Sequence, residues 1–223
     1  MPASRPSSDP SSNEPISNTS ERIQAVMTFW FGAPGGEVEG RYRKEWFIKD
    51  DAFDEQIKQQ FLTDIERAAR GEYDDWIHQA ASQAASQTNG AIALLILLDQ
   101  FPRNIYRGTP QSFATDSKAI QVAQHLVDSG IDKTLPPTHR FFIYVPFEHQ
   151  EAITQQDKAV ALMSELIAET PDIDPGLKSG LDYAIRHRDV IAQFGRFPHR
   201  NEILGRESSA EERAFLQQPG SRF

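Results

Sequence analysis

Residues 88–108 read TNGAIALLILLDQFPRNIYRG, and the fold depends on how this stretch is read. From Ala91 to Leu98 every side chain is apolar, so no face of the segment can be left in water. Thr88 is placed to cap a helix that buries this run and ends at Pro102. Directly after the run stand Asp99, Gln100, Phe101, Pro102, Arg103, Asn104, Tyr106 and Arg107, polar groups set against an apolar wall. Ionisable groups at the margin of a buried element have displaced proton affinities, so the search for chemistry starts at this junction.

Outward from it, apolar residues recur at helical spacing. Asn18 and Glu21 resemble a capping box ahead of Ile23, Val26, Met27 and Trp30, and Gly32, Pro34, Gly35 and Gly36 stop that helix. Phe53, Ile57, Phe61, Ile65 and Ala69 form one stripe of a second helix, closed by Gly71. A third, over 72–86, carries Tyr73, Trp76, Ile77, Ala80 and Ala84. Beyond the central stretch, Thr109 and Pro110 open a helix that runs to Gly130. Thr138 caps a short helix, 139–144, broken by Pro146. A seventh spans 148–169, and Asp174-Pro175 opens another that stops at Gly195. Ser208 with Glu211, or Ser209 with Glu212, opens the last.

No segment shows period-two alternation between hairpin turns. The expected fold is therefore all-α, with about eight helices joined by short loops as antiparallel pairs. It occupies 20–223 as a single domain, behind a disordered tail, 1–19, rich in Pro, Ser and Asn. No repeat of about 34 residues matches a tetratricopeptide consensus.

Composition excludes several functions. The 223 residues suffice for one sizeable core, and a formal charge of −9 argues against general nucleic-acid binding. Without cysteine, disulfides, zinc–thiolate sites and thiol catalysis are impossible, which fits a reducing cytoplasm. No run approaches the roughly 18 apolar residues of a membrane span, so no membrane partner is expected. HExxH, GxSxG and phosphate-binding glycine loops are missing, and neither a metal site nor a particular cofactor is indicated.

One motif occurs twice. Phe101–Gly108 and Phe197–Gly205 both read Phe-Pro, then Arg-Asn, then a glycine four residues after the asparagine. Helix-terminating turns alone explain proline, asparagine and glycine, but not the arginine or the preceding phenylalanine. Around the second copy, Arg186, Arg188, Arg196, Arg200 and Arg206 face only Asp189 and Glu202, with His187 and His199 nearby. Arginine suits bidentate contact with carboxylate or phosphate, whether of a ligand or of Asp99, Glu148, Glu151 and Asp189 in the same chain. A third cluster, Glu148-His149-Gln150-Glu151, sits where a helix begins, so its acids also suit the helix dipole. Alternatively His149 pairs with Glu148 or Glu151 as acid and base.

The segments LLILLDQFPRNIYRG, FATDSKAI, FFIYVPFEHQE, FGRFPHRN and ILGR, with FWFG and WFIKDDAFD, resemble the bacterial family known as domain of unknown function 924. The resemblance covers about 21–223 and implies a helical fold similar to the tetratricopeptide-like superfamily, without a reaction. The family's pattern falls on Asp99 to Asn104, Arg107, Glu148, His149, Glu151 and Phe194 to Asn201. It has serine where this chain has Gln150, which weakens any mechanism using a hydroxyl beside His149.

Three functions follow as expectations. In the first, a cleft binds a small anion or acidic peptide through Arg103, Arg107, Arg196 and Arg200, with Asp99, Asn104, His199 and Asn201 around them. In the second, a hydrolase or lyase uses His149 with Glu148 or Glu151. The third is a non-catalytic interaction scaffold whose polar clusters lock helices together.

Overall fold

The computed structural model of the chain describes residues 19–77 and 84–222. The expected tail lies outside them except for Thr19, which opens the first helix. Among the described residues there is no strand, and the fold is all-α. Among the described residues ten α-helical segments make up eight rods: α1 (Thr19–Phe31), α2 (Asp51–Ala69), α3 (Ala84–Leu95) continuing into α4 (Phe101–Ile105), α5 (Asp116–Asp128), α6 (Pro137–Glu148), α7 (Ile153–Glu169), α8 (Pro175–Lys178) running into α9 (Gly180–Phe194), and α10 (Ala210–Phe215).

The 91–98 run is the centre of the core, and Ile92, Ala93, Leu94, Ile96 and Leu97 are wholly inaccessible. Each such leucine or isoleucine contributes about 2 kcal/mol of burial. Aromatic rings close the layer around it: Trp30 lies 5.6 Å from Phe101 and 5.3 Å from Phe142, edge to face. No helix among the described residues is long and apolar enough to cross a membrane.

Several helix boundaries differ from expectation, each for a tertiary reason. The expected third helix is a short 3-10 turn at Asp74–Ile77, and its 78–83 portion lies outside the described residues. Thr88 lies inside α3, not at its start. Pro102 does not end the central helix. A π-helical turn over Ile96–Gln100 widens the rod just before it, and Pro102 falls in the first turn of α4, where its missing N–H is tolerated. The Leu98 carbonyl, four residues back, accepts the Thr115 hydroxyl at 2.5 Å. Pro110 opens only a single 3-10 turn, and α5 starts at Asp116. Thr138 donates to the Gly40 carbonyl instead of capping. The second helix's stripe ends on Ala68, not Ala69.

The largest revision concerns α6. Nearly every side chain from Thr138 to Glu148 is buried, and this packing outweighs the local cost of about 3 kcal/mol for an internal proline. The helix therefore continues through Pro146. Glu148 is its last residue, not the first of the next helix.

Candidate active site

That revision decides the electrostatics of the 148–151 cluster. At a helix C-terminus the dipole opposes a carboxylate, so the dipole does not explain Glu148. His149 is the C-cap of α6, and the loop to α7 is held rigidly. Buried Gln156 donates from Nε2 to the carbonyls of both Glu148 (2.6 Å) and Gln150 (2.7 Å), clamping the residues on either side of His149. The Gln150 side chain donates to the Pro146 carbonyl at 3.1 Å.

The π turn presents Asp99 to this loop. Its Oδ1 accepts His149 Nδ1–H at 2.8 Å, while Oδ2 accepts Gln100 Nε2 at 2.6 Å. Arg103 Nη1 lies 3.2 Å from the same Oδ1. Because a carboxylate only accepts, the Asp99 bond fixes the tautomer and leaves Nε2 as the basic nitrogen of His149. The histidine's carboxylate partner is thus Asp99, not Glu148 or Glu151.

Proton affinities diverge across the cluster. Burial pushes the Glu148 carboxyl well above the usual range, and the Asp99 charge pushes it the same way. Although burial opposes it, Arg103, aided by His149, holds Asp99 down at about 2. Burial and the Arg103 charge lower His149. Burial also lowers His187, to about 3, and its Nδ1 donates to the Tyr183 carbonyl at 2.8 Å. Burial thus shifts Glu148 toward the carboxylic acid and His149 toward the neutral imidazole that Asp99 orients. Glu148 is 5% exposed, and its Oε1 has no hydrogen-bond partner.

Glu148, His149 and His187 line a cavity of about 510 Å³. Tyr42, Phe47, Ile48, Phe141 and Val145 provide its apolar walls, and Tyr183, Arg186 and Arg222 its exposed polar edge. Gly176 and Gly180 also line it, and a Cβ at either would drive into the ring of Tyr42 or Phe141, respectively. Among the described residues no group of three or more His, Asp or Glu side chains is arranged to hold a metal ion.

The duplicated corners do converge, on a carboxylate. Arg103 grips Asp116 bidentately at 2.8 and 2.9 Å, and Arg200 reaches the same residue at 3.4 Å. The Arg200 guanidinium lies between the rings of Phe113 and Phe197, 4.5 Å from each. Gly108 and Gly205 both take the left-handed conformation that ends such a turn. Asn104 (2.7 Å) and Arg107 (2.9 Å) bind Asp54, and Arg196 is bidentate on Glu212 at 2.7 and 2.8 Å. Glu151 is held by Arg206 at 2.6 and 2.9 Å and accepts the Phe197 N–H at 2.8 Å. Asn201 Nδ2 donates to Ser208 Oγ at 3.1 Å, and burial lowers His199 to about 4. Of the site residues expected from the sequence, Glu148 and His149 line the cavity and the others do not.

Sequence reasoning placed Arg186 in a basic cluster without assigning it to the site, and missed Asp116, Arg222 and the aromatic walls. One signal was available: Gly176 and Gly180, four apart at the start of a helix, mark one face where something must approach closely.

Fold and site together define an all-helical protein with a buried carboxyl–histidine cluster at the base of an apolar cavity. The chain belongs to a family of bacterial proteins of unknown function, DUF924, which matches residues 26–220. It is similar to the solved structure of a protein of unknown function from Agrobacterium tumefaciens, with 36% identity and a TM-score of 0.73 over 90% of this chain and 99% of that one. No curated protein matches the chain significantly.

Proposed function

We propose that this protein is an acid–base enzyme, a hydrolase or lyase, in which His149 is the base and Glu148 the acid. The observation that carries the reading is the buried Glu148 carboxyl, unpartnered at Oε1, beside a histidine oriented by Asp99 in one cavity. His149 Nε2 takes a proton from water, which attacks, or from a carbon acid. Glu148 gives its proton to the departing group. The proton on His149 then returns to Glu148 through product or solvent, restoring both groups. Water is the nucleophile for hydrolysis, because Ser179, the serine at the cavity, is exposed and donates its hydroxyl to the Gly176 carbonyl at 2.7 Å.

Glu151 is occupied by Arg206 and has no part in this scheme. Anion capture by Arg103, Arg107, Arg196 and Arg200 has less support, since each already holds a carboxylate of its own chain. The test is a turnover screen over small esters, amides, phosphoesters and β-hydroxy acids with wild type, Glu148→Gln and His149→Gln. Turnover lost in both variants is the expected result. Wild-type rates in either variant refute the scheme.

A further inference from the structure

We infer that the cavity takes an amphiphilic small anion, an acyl or aryl body ending in a carboxylate or phosphate, with Arg186 and Arg222 holding the anion at the mouth. The inference rests on the acid–base reading only for orientation, placing the reacting bond at the Glu148 end.

Charge is the first argument. The chain carries a formal −9, yet among the described residues the cavity lining has two arginines and a single carboxyl, Glu148. Burial favours the neutral form of that carboxyl, which weakens the repulsion an anion meets at the base of the cavity. The neighbouring basic residues are committed elsewhere: Arg188 to Asp157 and Asp189, Arg196 to Glu212, Arg206 to Glu151. Arg186 and Arg222 have no ion pair among the described residues. Arg186 is instead held over the Tyr183 ring, its guanidinium carbon 4.6 Å from the centroid, which steadies it at the edge while leaving its donors available.

Shape and polarity are the second. Phe47 is 49% and Ile48 59% exposed at the rim, an apolar lip that costs free energy in water unless something covers it. The glycines at 176 and 180 keep the rings of Tyr42 and Phe141 seated along the wall. A cavity of about 510 Å³ matches a small organic molecule. Glu148 Oε1, buried and unpartnered, points to a polar group on the ligand's inner end.

Isothermal titration of the full chain tests this with octanoate and phenyl phosphate against two half-molecules, octanamide and inorganic phosphate. Both amphiphiles are expected to bind saturably at one site, at least about tenfold more tightly than either half. The double variant Arg186→Gln/Arg222→Gln alters only exposed side chains. It should lose about tenfold in octanoate affinity with octanamide binding and the melting temperature unchanged. Octanamide binding as tightly as octanoate, inorganic phosphate as tightly as phenyl phosphate, or undiminished octanoate binding by the double variant overturns the proposal. Glu148→Gln separates the two readings. If it binds octanoate and keeps wild-type turnover, the anion site stands and the acid–base scheme fails. If wild type binds neither amphiphile while Glu148→Gln abolishes turnover, the reverse holds.

Discussion

His149 and Asp99, 50 positions apart, are joined by a 2.8 Å hydrogen bond that no local motif announces. The bond exists because a π turn brings Asp99 round to meet the C-cap of α6. Its replacement is therefore a test of positioning. Asp99→Asn should lower kcat about 100-fold or more, the scale of a lost acid–base contribution. The charge of Asp99 raises the proton affinity of His149, so its removal should also shift the acid limb of the rate profile to lower pH. An unmoved limb in pH-dependent kinetics would show that the pair does not control the base.

Glu148 should leave a signature in stability. Its proton affinity is raised on folding above the ordinary 4.5, so the native state binds a proton that the unfolded chain has released. Stability from this group is full below 4.5 and declines as pH rises toward its folded value. Glu148→Gln removes the decline. In melting experiments the variant should gain on wild type from pH 5 to 8, and a constant gap across that range would contradict the buried neutral acid.

The Arg103–Asp116–Arg200 junction should be structural. Asp116→Ala leaves two guanidiniums facing one another, and Arg200 is almost wholly buried. Urea unfolding should show a loss of about 3 kcal/mol, as when one partner of a buried pair is removed. A loss under about 1 kcal/mol would class the contact with exposed bridges.

Much of this was legible in the chain. The 91–98 run, the stripe Phe53–Ile57–Phe61–Ile65, the Asp174 cap, the Ser209–Glu212 capping box and the left-handed Gly195 all follow from local rules. Proline misled at Pro110, which opens only a 3-10 turn, and at Pro102 and Pro146, where a π turn and deep burial compensated for it. That error put Glu148 at the wrong end of a helix. Glu148 and His149 nevertheless stood out by residue type. The pairing of His149 with Asp99 did not, nor did the approach of Arg186 and His187 from α9, since no local pattern links these elements.

His139 offers a control away from the cavity. It stacks on Phe31 at 4.1 Å, its Nδ1 has no partner, and burial lowers it to about 4. A histidine lowered on folding supports stability fully above 6.5, and that support is lost as pH falls toward 4. His139→Phe should therefore flatten the fall in melting temperature between pH 6.5 and 4. An unchanged slope would mean that this ring takes up a proton without disturbing its stack.

The buried titratable groups also make folding itself a proton-exchange reaction. Near about pH 6 an unfolded histidine is mostly charged and an unfolded glutamate is ionised. On folding, His139, His187 and His199, lowered to about 4, about 3 and about 4, discharge protons to the buffer, while the raised proton affinity of Glu148 works in the opposite sense. The heat of folding must then include the ionisation heat of whatever buffer accepts the difference. Scanning calorimetry in phosphate and in an amine buffer at one pH would count the net protons directly, reading the charge state of the interior without any substrate.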